Sequence, residues 1–205
     1  MRKSGLFVFL LIAASLFAQD HADQIKKARA SLFDKNYQDA LERFDMVLSK
    51  DPDNMEAQLG KLEAHNGLGQ KTELTSFAQK RTKGASVENH VFNAQVHLMN
   101  KSVANAEQEL KKALDQNKSH YMALHMMGVI RTAKGDKNTA FKYFSAAIKA
   151  QGSFPEPYYY IGDLYFTSGK TDKAVKYWKK YIELVPATGQ RYQYVNSKLQ
   201  SLGGG

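Results

Sequence analysis

Through most of this chain, apolar residues recur in steps of three and four, the spacing that puts them on one side of an α-helix. Ala140, Phe141, Phe144, Ala147 and Ile148 form one such stripe, and Tyr192, Val195, Leu199 and Leu202 form another. Leu59, Gly60, Leu62, Ala64, Leu68 and Gly69 read as a third helix. Breakers fall between the stripes. Gly135 and Gly169 stand where a helix must stop, because glycine accepts the left-handed conformation cheaply. Thr171 then reads as an N-cap for the helix carrying Ala174. Ser153 and Glu156 have capping-box spacing, with Pro155 and Pro157 in the first turn, where missing amides cost little. The pattern predicts an all-α chain of short helices.

The helices repeat. AFKYFSAAIKA from Ala140 matches AVKYWKKYIEL from Ala174, and the glycines upstream match as well. Gly128 pairs with Gly162, Gly135 with Gly169 and Ala140 with Ala174, each 34 residues apart, and Ala106 lies 34 before Ala140. Ala40 lies 66 before Ala106, two periods less two residues. Such a period marks a stack of supersecondary units.

This pattern resembles the tetratricopeptide repeat family, in which each 34-residue unit is an antiparallel helix pair. The small residues that the family places at the crossing of first helices are here Ala28, Ala94, Gly128 and Gly162. The alanine early in the second helix is Ala40, Ala106, Ala140 or Ala174, followed one turn later by Phe44, Leu110, Phe144 or Trp178. Pro52 and Pro186 stand where the family often closes a unit. A small residue lets two backbones approach while the large one fills the neighbouring groove. The resemblance implies a right-handed α-solenoid with units near 21–54, 55–86, 87–120, 121–154 and 155–188, a capping helix over 189–202 and a tail over 203–205. The second unit is degenerate. Its second helix, expected from Glu73 to Lys83, has few apolar residues beyond Leu74, Phe77 and Ala78, and the next helix is expected to begin near Val87 or Glu88.

The first eighteen residues differ from the rest. Arg2 and Lys3 precede Leu6–Ala18, thirteen residues without a charge, before Gln19, Asp20 and His21. A basic head, an apolar run and small residues are the layout of a secretory signal peptide, expected to be cleaved after Ala18. As a helix the run covers roughly 20 Å, short of a hydrocarbon core of about 30 Å, so a membrane-spanning anchor is not expected. The remaining chain carries 27 Lys and Arg against 20 Asp and Glu, a net charge of +7 that suits acidic partners or anionic surfaces. There is no cysteine, hence no disulfide, thiolate metal site, cysteine nucleophile or lipidated N-terminal cysteine.

No recognisable constellation of catalytic residues occurs. His90 and His97 are two turns apart, unlike the ligand pair of a zinc-binding helix, and with His65 they fall at packing positions of the repeat. No nucleophile elbow, phosphate-cradling loop or dinucleotide fingerprint is present. No enzyme activity, cofactor, metal site or nucleic-acid partner is expected. The resemblance instead implies a concave groove lined by first helices that takes a protein or peptide. Its lining would include Arg29 and Phe33, then Glu63 and Asn66, then Gln95 and Met99. His125 and Val129 would follow, with Tyr159, Asp163 and Phe166 in the last unit. Tyr159 and Phe166 have an alternative role, packing against the C-terminal helix. The convex side is basic near the C-terminus, with Lys142, Lys149, Lys173, Lys176, Lys179 and Lys180, which would permit weak contact with an anionic envelope surface. The expectation is a periplasmic or secreted scaffold of a bacterial cell envelope. A periplasmic assembly chaperone is the alternative, and a regulatory subunit of an envelope enzyme the third reading.

Overall fold

The computed structural model describes residues 4–81 and 84–203, with side chains for 19–80 and 84–203. Among these residues there are eleven helices and no strand. They are α1 (Ser4–Phe33), α2 (Tyr37–Lys50), α3 (Met55–Gly67), α4 (Lys71–Arg81), α5 (Val87–Met99) and α6 (Val103–Gln116). Next come α7 (Tyr121–Ala133), α8 (Lys137–Ala150), α9 (Glu156–Phe166), α10 (Thr171–Leu184) and α11 (Gln190–Ser201). The chain forms two compact units, Met1–Gly69 and Gln70–Gly205. The division falls within the stretch read as the degenerate second repeat.

In the first unit, α2 packs on both α1 and α3. Ile25, Ala28, Ala40, Phe44, Val47, Ala57 and Ala64 form the core, with Leu32, Leu41 and Leu48 against it. Ala40, Phe44 and Val47 recur on one face of α2 because their spacing matches the helical period. The Phe44 ring lies where Gly60 leaves room, since a Cβ on Gly60 would fall 2.0 Å from Phe44 Cζ. Asn54 caps α3 by accepting from the Ala57 amide at 3.1 Å, and the buried Gln58 amide donates to the Pro52 carbonyl at 2.7 Å.

In the second unit, α5/α6, α7/α8 and α9/α10 are the principal pairs, and α4 packs on α5 through the edge of Phe77 against Phe92 at 5.9 Å. Helix α4 starts at Lys71, two residues before Glu73, and the expected end at Lys83 lies outside the described residues, while α5 starts at Val87 with Ser86 as its N-cap. Helix α7 buries Met122, Ala123, Leu124, Met126, Met127, Gly128 and Ile130, which leaves it enclosed on most sides. Gly128 faces Phe144 and Gly162 faces Trp178, so the small-with-large pairing read from the sequence appears as contact. His65 and His90 are buried and His97 half-buried, as expected of packing positions. His90 Nδ1 lies 2.6 Å from Glu109 Oε2 and ties α5 to α6, while Arg131 and Lys134 both reach Glu107 and tie α7 to α6.

Each first helix ends in a left-handed joint. Lys35 (φ 59), Gly69 (φ 70), Lys101 (φ 58), Gly135 (φ 78) and Gly169 (φ 71) occupy the turn positions. At four joints the next amide reaches back five residues: Asn36 to Ser31, Ser102 to His97, Asp136 to Arg131 and Lys170 to Tyr165, all between 2.8 and 2.9 Å. This is the bond pattern of a Schellman motif. Two capping expectations fail. Thr171 is the first residue inside α10, and the N-cap is Lys170, without a side-chain cap bond. Pro155 caps α9 with no side-chain bond, and the Ser153 hydroxyl accepts from Gln151 instead of forming a capping box with Glu156.

Candidate functional site

The residues expected to bind a partner lie on the first helices, α1, α3, α5, α7 and α9. In the first unit these residues differ in exposure. Arg29 on α1 is half-buried and its guanidinium lies 3.8 Å from Glu56 on α3. Much of its charge is therefore answered within the unit. Phe33, at the end of α1, remains 38% exposed, and Glu63 and Asn66 on α3 are exposed.

The α1–α2 joint is held by polar contacts. Arg43 Nε donates to Asp39 at 2.8 Å, the Ser31 hydroxyl donates to the same carboxylate, and Arg43 also reaches Gln24 at 3.2 Å. The Arg43 guanidinium, helped by Ser31, holds the Asp39 carboxyl below its ordinary range. These groups fix the end of α1, and with it the position of Phe33.

In the second unit, Gln95 and Met99 on α5 are half-buried. Val129 on α7 packs against the cluster of Ala140, Phe144, Ile161 and Leu164. His125 sits among rings, 5.2 Å from Phe154, 5.5 Å from Tyr160 and 5.7 Å from Phe144. Its role there is largely packing.

Tyr159, Asp163 and Phe166 meet α11. Arg191 lies 4.7 Å above the Tyr159 ring, Tyr181 is 5.5 Å from that ring, and Lys198 Nζ stands 5.6 Å from Phe166. Phe166 also contacts Trp178 at 5.2 Å. The packing role weighed for Tyr159 and Phe166 is thus the one the structure displays. Burial pushes the Asp163 carboxyl above its ordinary value, against the Tyr159 hydroxyl that donates to it and the charge of Arg191. Burial and the same carboxylate push the Tyr159 hydroxyl upward. Arg191, Tyr194 and Lys198, which the sequence reading did not single out, recur at helical spacing on α11. That spacing was the available signal.

Among the described residues no three His, Cys, Asp or Glu side chains stand together as a metal-binding group. Nor is any helix long and apolar enough to cross a membrane.

Stacked helix pairs with this pairing of small and large residues define a helical-repeat protein of the kind that binds other proteins. Residues 25–73 and 158–188 match the tetratricopeptide repeat family, and these two matches support a tetratricopeptide repeat protein. No curated protein matches the chain in sequence. Among solved structures, the chain is similar to a thermophilic tetratricopeptide repeat protein of Thermus thermophilus, with 15% identity, 89% of this chain and 98% of that one covered, and a TM-score of 0.57. It is similar to PilW, described as a widely conserved type IV pilus biogenesis factor, at 20% identity over 88% of this chain and 85% of PilW, with a TM-score of 0.54. It is also similar to human IFIT1, at 17% identity over 87% of this chain and 44% of that one, with a TM-score of 0.64. At these identities the likeness concerns the fold.

Proposed function

We propose that this chain is an exported, non-catalytic scaffold of a bacterial cell envelope that holds a partner protein or peptide on its first helices. The observation that carries this reading is the set of exposed side chains on the first helices of the first unit. In the first unit, α1 leaves Phe33 38% exposed and α3 leaves Glu63 and Asn66 exposed. A large apolar side chain among polar ones is the composition of a binding surface, in which aromatic anchors carry much of the energy.

Export rests on the basic head and the apolar run before Gln19. Cleavage after Ala18 would leave Gln19–Phe33 of α1, fifteen residues, close to the thirteen of α3, α5 and α7. Sequencing the N-terminus of the chain recovered from its native host tests this directly, because a chain that still begins at Met1 contradicts it.

Cross-linking in intact cells followed by affinity capture tests the scaffold. One or two stoichiometric partners, released by Phe33→Ala with Asn66→Ala in a folded variant, are expected. Capture of many unfolded clients would favour an assembly chaperone, and turnover of an envelope substrate by the purified chain would overturn the non-catalytic reading.

A further inference from the structure

The charge of the chain is gathered at one end of its sequence. Residues 137–203 hold ten Lys and Arg against four Asp and Glu, whereas residues 19–136 are nearly balanced at 17 against 16. Within the second unit much of the excess stands on α8 and α10. Lys142 lies two residues from both Ala140 and Phe144, and Lys176 two residues from both Ala174 and Trp178. At about 100° per residue, each therefore points away from its helix's buried face. Lys149 and Lys179 are exposed as well. Among the described residues these four lysines form no ion pair, while Lys180 is paired with Glu183 at 2.8 Å.

The two helices belong to one surface. Tyr177 from α10 packs on the Ala140–Phe144 cluster, and Ile148 from α8 packs on the cluster of Ala174 and Trp178. Between them runs a row of half-buried rings, Phe141, Tyr165 and Tyr177, at successive separations of 5.4 and 5.6 Å. Lys173 Nζ stands 5.5 Å over Tyr165.

We infer that the outer face of α8 and α10 docks the protein on an anionic lipid bilayer surface. Three observations favour this polyanion over others. The cations are lysines, compact point charges that act through a field, whereas arginine forks dominate recognition of individual phosphates. The rings are half-buried and held edge-on or tilted against one another, unlike the open platforms on which bases stack. Protein interfaces are depleted in lysine, which is the commonest exposed residue on α8 and α10. A fluid layer of headgroups needs no fixed pairing geometry, and each lysine near it strengthens attachment by about fivefold.

The test offers the full-length chain a choice between phosphatidylcholine vesicles and vesicles of phosphatidylcholine with phosphatidylglycerol, which differ only in charge. The basic head of Arg2 and Lys3 adds equally to the wild type and to both variants, so the comparison among the three isolates this face. A preference for the anionic vesicles is expected, falling at least tenfold in the Lys142→Gln, Lys149→Gln, Lys176→Gln, Lys179→Gln variant. It is expected to persist in a control with the same charge change elsewhere, Lys71→Gln, Lys80→Gln, Lys111→Gln, Lys118→Gln, with circular dichroism showing both variants folded. Equal division of the wild-type chain between the vesicles overturns the proposal, as does equal loss in the control. Stripping of the protein from anionic vesicles by a single-stranded oligonucleotide at matched phosphate concentration overturns it in favour of nucleic acid.

Discussion

Trp178 occupies the space that a side chain on Gly162 would need. A Cβ there would lie 2.3 Å from the indole Cδ1 and 2.4 Å from Nε1. Helix propensity alone would make Gly162→Ala stabilising by roughly 1 kcal/mol. The buried indole cannot retreat without disturbing Tyr181, Val195 and Leu199, which share its cluster. We expect Gly162→Ala to destabilise the protein by about 1–3 kcal/mol, the usual cost of overpacking. Gly152→Ala serves as the comparison, because its Cβ would meet nothing closer than 3.7 Å. Urea denaturation separates the two.

Lys35 and Lys101 hold left-handed conformations that Gly135 and Gly169 adopt freely. A side chain in this region costs roughly 1–2 kcal/mol, partly offset because glycine loses more entropy on folding. Lys35→Gly and Lys101→Gly should therefore each stabilise the fold, by about 0.5–1 kcal/mol. Unchanged or lower denaturation midpoints would show that the lysine stems repay the strain through contacts of their own.

Asp163 gives the fold a pH dependence of unusual sign. Its folded value lies above the ordinary 3.8, so between those two values the native state holds more protons than the unfolded chain. Stability then falls as pH rises through that window. Asp163→Asn should abolish this decline and raise stability at neutral pH relative to wild type, measured by denaturation at pH 4 and pH 7. A mutant with the wild-type slope would assign the decline to other groups.

His120 works in the opposite direction. Its Nδ1 accepts from the Ala123 amide at 3.3 Å and caps α7, which requires that nitrogen to be unprotonated. Burial holds its pKa below the ordinary 6.5. The stability it contributes is present above that value and is lost as pH falls through the folded one. His120→Asn keeps a capping acceptor without a proton site, and should make α7 less sensitive to acid. Thermal unfolding of both proteins at pH 5 and pH 7.5 checks this.

The helix pairs were legible because several independent signals share one period. Gly128 with Phe144 and Gly162 with Trp178 meet as their spacing implied. The caps are less legible because residue type and register disagree there. Asn36, Ser102, Asp136 and Lys170 cap α2, α6, α8 and α10 at intervals of 34 or twice 34 less two, so register points to Lys170 although Thr171 is the better capping residue. His120 follows Ser86 by 34 residues and caps the corresponding first helix, which the same rule would have found. The expected groove was only partly legible. The repeat places Tyr159, Asp163 and Phe166 on a first helix, but their contacts with Arg191 and Lys198 come from α11, whose docking follows from no repeat partner.

The four Schellman joints carry a consequence for how such a chain can lengthen. Each satisfies the last carbonyls of its helix with amides from its own turn, and the same two bonds recur whether lysine or glycine stands at the corner. A junction whose carbonyls are answered by its own backbone can be copied whole. Duplicating residues 137–170 after Lys170 would join a Gly169–Lys170 corner to another α8, as Gly135–Asp136 does already. The chain is in this sense a cassette tape, extensible at its seams without new joinery.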